Sequence, residues 1–191
     1  MKPALPTIEA EHRTLGTLLK GLKAHADDLV NGRSPRDPQL LHTIIRYITA
    51  YPERHHHPKE TRHLFNRLRM RTDELDMVLD NLERDHINGE AMLNGLDGAL
   101  AAAETGGEAE RQAFGEAVKQ FAEFYWQHMR TEEELILPAA RRLFTEDDWI
   151  DLDCAFAGHN DPLVDLVGRE GGYDLGMLLR RLEAAEEQTA R

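Results

Sequence analysis

Apolar residues recur along this chain at alternating steps of four and three. The first run is Ile8, His12, Leu15, Leu19, Leu22, Ala26 and Leu29. That spacing keeps one stripe on one helical face and predicts an amphipathic bundle helix. Thr7 is placed as its N-cap, and Asn31-Gly32 with Pro35 ends it. A second helix is expected from about Asp37-Pro38, with Leu41, Ile44, Ile45 and Ile48 inward. Pro52 and Pro58 bracket His55-His56-His57, so a bend is expected there before Glu60, Leu64, Phe65 and Leu68 continue the stripe. A turn near Arg71-Thr72-Asp73 leads into a third seam: Leu75, Leu79, Leu82, His86, then Gly89 or Glu90, Leu93, Leu96 and Leu100. Gly106-Gly107 closes it. The fourth seam is the most regular: Phe114, Val118, Phe121, Tyr125, His128, Glu132, Leu135 and Ala139, with Pro138 bending its far end.

Thr145-Glu146-Asp147-Asp148 reads as the cap of a short helix through about Ala157. A loop with His159 and the Gly171-Gly172 break follow, then a last amphipathic helix from about Tyr173 to Glu186. Nothing alternates at period two, so no sheet is expected. The expected fold is all-α: an up-down-up-down four-helix bundle over residues 1–145, with a C-terminal helical extension over 146–191 packed on it.

What disturbs these stripes is polar. Each of the four seams carries a histidine, namely His12, His56, His86 and His128. Two seams add a glutamate four positions on, Glu60 and Glu132, and residues four apart share a helical face. Burying this set among leucines costs several kcal/mol unless the groups are paired or ligated. A lone core histidine is ordinary; four with two matched carboxylates point to metal. Imidazoles supply terminal nitrogen ligands, carboxylates can bridge, and two-metal sites hold ions about 3.5–4 Å apart. Nitrogen and carboxylate ligation suits iron or manganese better than zinc, whose structural sites are rich in cysteine.

Composition sets the remaining bounds. The 191 residues suffice for one sizeable core, with 41% hydrophobic and 30% charged positions. The formal charge of −12 disfavours nucleic acid and anionic lipid as partners. One cysteine, Cys154, cannot make an internal disulfide, which suggests a reducing compartment. The N-terminus has no apolar signal core, and no apolar run approaches the roughly 20 residues that span a bilayer. The cytoplasm is the expected location.

The order histidine, His-x-x-x-Glu, histidine, His-x-x-x-Glu resembles the hemerythrin-like (HHE cation-binding) family over about Ile8 to Phe144. The resemblance rests on the stretches YPERHHHPKE, LERDHINGE and HMRTEEELILPAARRLF. It implies two iron ions, joined by an oxo or hydroxo bridge, held by His12, His56, Glu60, His86, His128 and Glu132, with both glutamates bridging. Manganese or zinc is less favoured. Oxygen-carrying members have a second histidine four positions after the one on the third helix. Here that position is Glu90, which is kept as a seventh candidate ligand. A fifth histidine can come only from elsewhere, such as His63 or His159.

His25, His42, His55 and His57 are read as solvated surface. Glu9, Glu53 and Glu83 each precede a candidate histidine by three, and are read as surface residues or as partners orienting imidazoles. Tyr125 is read as packing or as part of the site wall. Three functions fit: a protein binding oxygen, nitric oxide or peroxide in sensing, storage or stress response; an enzyme that decomposes peroxide, reduces nitric oxide or supplies iron for cluster repair; or a metal-stabilised interaction module. Whether the chain is an enzyme, and whether it pairs as a homodimer, stay open at this level.

Overall fold

A computed structural model describes residues 4–33 and 38–157. The described residues are helical, without a strand, and the helices form a bundle. Helix α1 spans Ala4–Val30. It begins three residues before the expected cap, because Asp153 accepts a hydrogen bond from the Ala4 backbone N–H at 2.7 Å. A tertiary contact thus does the work assigned to Thr7. Helix α2 opens as Pro38–Ala50 and continues to Arg69 through altered winding. Pro52–His56 and Glu60–Phe65 are π-helical, with α-helical turns His57–Lys59 and Asn66–Arg69 after them. The bend expected at Pro52 and Pro58 is therefore a π-wound segment rather than a break. Such segments concentrate at functional sites.

Helix α3 spans Asp76–Thr105. Helix α4 starts at Glu108, where Glu110 accepts a hydrogen bond from the Gly107 N–H at 2.7 Å. It is α-helical to Thr131, π-helical over Glu132–Ile136, and α-helical again over Leu137–Leu143. Helix α5, Glu146–Ala157, packs on α1 and on the π-wound part of α2. Its start is fixed by Asp148, which accepts from the Thr145 N–H at 2.9 Å and receives Arg71 at 2.8 Å. The helix expected at Tyr173–Glu186 and the His159 loop lie outside the described residues. Among the described residues, no helix is long and apolar enough to cross a membrane.

The apolar core comes in two parts. One is built from Leu15 to Ala26 of α1, Leu40 to Tyr51 of α2, Leu93 to Ala103 of α3 and Phe114 to Met129 of α4. The other joins Ala4, Leu5 and Ile8 to Leu64–Leu68, Leu79, Leu82, Ile136–Ala140, Leu152 and Phe156. Along each bundle helix the polar seam residues fall between the two.

Candidate metal centre

The layer between the two cores is made of imidazoles around two carboxylates. His12, His56, His57, Glu60, His128 and Glu132 are buried, and His86 nearly so. Glu60 and Glu132 are 0% exposed, a position a carboxylate occupies only with compensation. Glu60 Oε1 lies 3.0 Å from His56 Nε2 and 3.7 Å from His12 Nε2, while its Oε2 lies 3.7 Å from His86 Nε2. Glu132 repeats the arrangement from the other wall. Its Oε2 is 3.3 Å from His12 Nε2, and its Oε1 is 3.4 Å from His128 Nε2 and 4.0 Å from His86 Nε2. Each carboxylate thus turns one oxygen to the His12 side and the other to the His86 side.

Two donor groups result. His12, His56 and Glu60 form one; His57, His86, His128 and Glu60 form the other, with the potential ligand atoms of each group within 4.8 Å of one another. The inner atoms are orphans. His12 Nε2, His86 Nε2, His128 Nε2 and all four oxygens of Glu60 and Glu132 are buried without a hydrogen-bond partner. A buried polar atom without a partner costs about 1–3 kcal/mol, more when charged. A layer this rich in orphans therefore fits a cation between them.

The outer faces of the rings are tethered. His12 Nδ1 meets Glu133 at 3.0 Å, and His56 Nδ1 meets Glu11 at 2.6 Å. His57 Nδ1 reaches Glu53 at 3.4 Å, and His86 Nδ1 reaches Thr61 Oγ1 at 3.1 Å. Asp85 faces His128 Nδ1 at 3.6 Å. A carboxylate only accepts, so where it holds Nδ1 that nitrogen keeps the proton and Nε2 offers its lone pair inward. Glu11 also accepts from Tyr51 Oη, and Glu53 from Tyr125 Oη.

Electrostatics divide the layer. Burial pulls His12 down, but the carboxylates of Glu132 and Glu60 outweigh it and raise its pKa well above the usual value. His56 is lifted to about 9 against burial by Glu60 and Glu11. Burial and the neighbouring His86 hold His57 well below the usual value. Burial and His128 lower His86 to about 3. Burial would raise Glu60, yet His56 and His12 carry it well below the ordinary carboxylate range. The metal-free layer is thus charged at His12 and His56 and neutral at His57 and His86, while Glu132 lifts the adjacent His128 against burial.

The structure brings six of the seven predicted residues together and leaves one outside. Gly89 takes the buried seam position, so Glu90 is exposed and belongs to neither donor group, although it borders the cavity that His57 and His86 also line. A Cβ at residue 89 would sit 2.6 Å from Tyr125 Oη, which leaves that position no room for a side chain. His57 is the residue the sequence reading misplaced: it is 4% exposed and joins the second donor group. The signal was present, since His57 precedes Glu60 by three and His56 precedes it by four, both same-face spacings. His25 is also buried rather than solvated, whereas His55 is exposed and His42 half-buried. His63 pairs with Asp151 at 3.0 Å, away from the centre. Of the three Glu-x-x-His glutamates, Glu53 orients His57, while Glu9 pairs with Arg141 and Glu83 with Arg69. Glu11 and Glu133 were missed because each stands next to a site residue in sequence, where helical spacing gives no hint of a shared target.

A helical bundle with a buried layer of imidazoles around two carboxylates is a histidine/carboxylate metal-binding protein. The family model of the hemerythrin HHE cation binding domain matches residues 4–140, and the chain belongs to that family. Comparison with curated proteins and with solved structures gives no match.

Proposed function

We propose that the chain is a non-haem di-iron protein that binds oxygen, nitric oxide or peroxide, in sensing, storage or the response to oxidative or nitrosative stress. One observation carries the reading: Glu60 and Glu132 each divide their two buried, partnerless oxygens between two groups of histidines. That is the disposition two cations need. His12 and His56 would hold one, His57, His86 and His128 the other, and both glutamates would serve both. All-nitrogen-and-oxygen donation suits iron. When bound, the pair supplies reversible electron transfer to a small ligand.

The chain's own residues do the rest. Glu11 and Glu133 fix ring orientation and tautomer, while Glu53, which burial pushes up to about 8, limits the orientation of His57. The two apolar cores keep water from the layer at either end. A cavity of about 450 Å³ bordered by His57, His86, Thr61 and Ile87 reaches the second group from solvent. An approach of that kind favours exchange of a small ligand over a closed structural ion. It equally admits turnover of peroxide or nitric oxide, which is the second reading.

Iron analysis and visible absorption of aerobically purified protein test the proposal. About two irons per chain, with ferric absorption lost in His56→Ala and Glu132→Ala, are expected. One zinc and no visible band would falsify it. Turnover of added peroxide or nitric oxide by the same sample then separates binding from catalysis.

A further inference from the structure

Between α1 and α4 lies a second groove, of about 460 Å³, whose wall includes His12 and Glu133 of the metal layer. Arg13, Gly16, Thr17 and Lys20 line it from α1, and Trp126, Met129 and Arg130 from α4. Both sets follow three-and-four spacing, so each is one continuous helical face. The floor over Gly16 is bare, with nothing within 4 Å of the space a Cβ would fill.

Its charge runs against that of the molecule. The chain carries −12 overall, yet three cations converge here. Arg13 and Lys20 have no acidic partner among the described residues, and Arg130 engages Glu134 at 2.8 Å. The one acid in the lining, Glu133, is committed to His12 Nδ1 at 3.0 Å. The half-buried Trp126 packs in part on the apolar core and lines the groove with the rest of its indole, a ring type that stacks on planar heterocycles. A volume in the ordinary range for small-ligand sites, unpaired cations and an aromatic wall select one ligand chemistry.

We propose that this groove binds a phosphorylated heteroaromatic ligand of the nucleotide class, with the phosphate at Arg13 and Lys20 and the ring system against Trp126. His12 and Glu133 both line the groove, so its occupant lies directly against the metal layer. The proposal concerns binding and stands whether or not the layer holds iron.

Flavin mononucleotide is the probe, with riboflavin and inorganic phosphate as its separate halves, titrated against the full chain by flavin fluorescence and calorimetry. Flavin mononucleotide is expected to bind below about 1 mM and tighter than either half. The double variant Arg13→Glu/Lys20→Glu should weaken it at least about tenfold while circular dichroism stays unchanged, since both side chains are exposed. Trp126→Leu should weaken flavin mononucleotide and riboflavin but spare phosphate. No binding at about 1 mM, undiminished binding in the double variant, or phosphate matching the whole nucleotide would each overturn the proposal. Iron content measured on every sample keeps failure of the metal reading separate from failure of the groove.

Discussion

His57 lies flat against His86, with ring centroids 4.2 Å apart and planes 9° from parallel. Two buried imidazoles this close cannot both be protonated, and both are held below the usual histidine pKa. Neutral, stacked and grouped with the same Glu60 carboxylate, they read as a pair of ligands. His57→Ala is therefore expected to lower bound iron as severely as His86→Ala, toward one metal per chain. Glu90→Gln should leave the metal content unchanged, because Glu90 is exposed. Equal iron in native and His57→Ala protein would return the fifth position to another residue.

Glu11 holds His56 from outside and is itself held by Tyr51. Removing such an orienting carboxylate commonly costs about 10–100-fold in metal affinity. Glu11→Gln should show a loss of that size in chelator competition, with the fold intact by circular dichroism. Undiminished affinity would mean that packing alone fixes the ring.

Gly89 and Tyr125 are made for each other. Gly89→Ala places a methyl against the tyrosine hydroxyl, which must shift and loosen its bond to Glu53. Overpacking of this kind costs about 1–3 kcal/mol, set against a gain of about 1 kcal/mol in helix propensity. The substitution should be less destabilising in a Tyr125→Phe background, where the clashing oxygen is gone. A double-mutant cycle by urea unfolding measures the coupling; additive effects would rule out the contact.

The metal-free protein should be most stable near pH 6.5. His86 titrates at about 3 when folded, below its ordinary 6.5, so between these values only the unfolded chain takes the proton. Its stabilisation is present above 6.5 and lost as pH falls. His56 titrates at about 9 when folded, so the folded chain keeps the proton through this range. Its stabilisation is present below 6.5 and lost as pH rises toward 9. His57 acts in the first sense and His12 in the second. Urea midpoints of chelator-treated protein at about pH 5, 6.5 and 9.5 should therefore rise and then fall; a monotonic trend would contradict this charge distribution.

Asp148 joins three elements through Thr145 and Arg71, and caps the helix that carries Asp151, Asp153 and Phe156 to the rest of the bundle. Asp148→Ala should cost about 1–3 kcal/mol from the lost cap and charged hydrogen bonds. Hydrogen exchange would show the opening confined first to Glu146–Ala157. Uniform loss of protection would assign the residue a global role instead.

The sequence by itself determined the helices, the bundle and six of the residues that meet in the buried layer. Heptad-like spacing records which face of each helix is buried, and a histidine or glutamate on that face announces itself by being polar. The same logic chose wrongly for His57. His57 stands three before Glu60 and His56 four before it, both same-face spacings, and the π-wound segments on either side of His57 let both rings turn inward where a regular α-helix favours one. Gly89 or Glu90 was undecidable for the same reason, since either fits the spacing; the bulk of Tyr125 on the facing helix decides it. Glu11 and Glu133 acquire their roles only across helices, where partners are 45 and 121 residues distant in sequence. Periodicity is a property of one helix and is written along the chain. Which oxygen faces which imidazole is a property of four helices packed together, and only the tertiary structure fixes it.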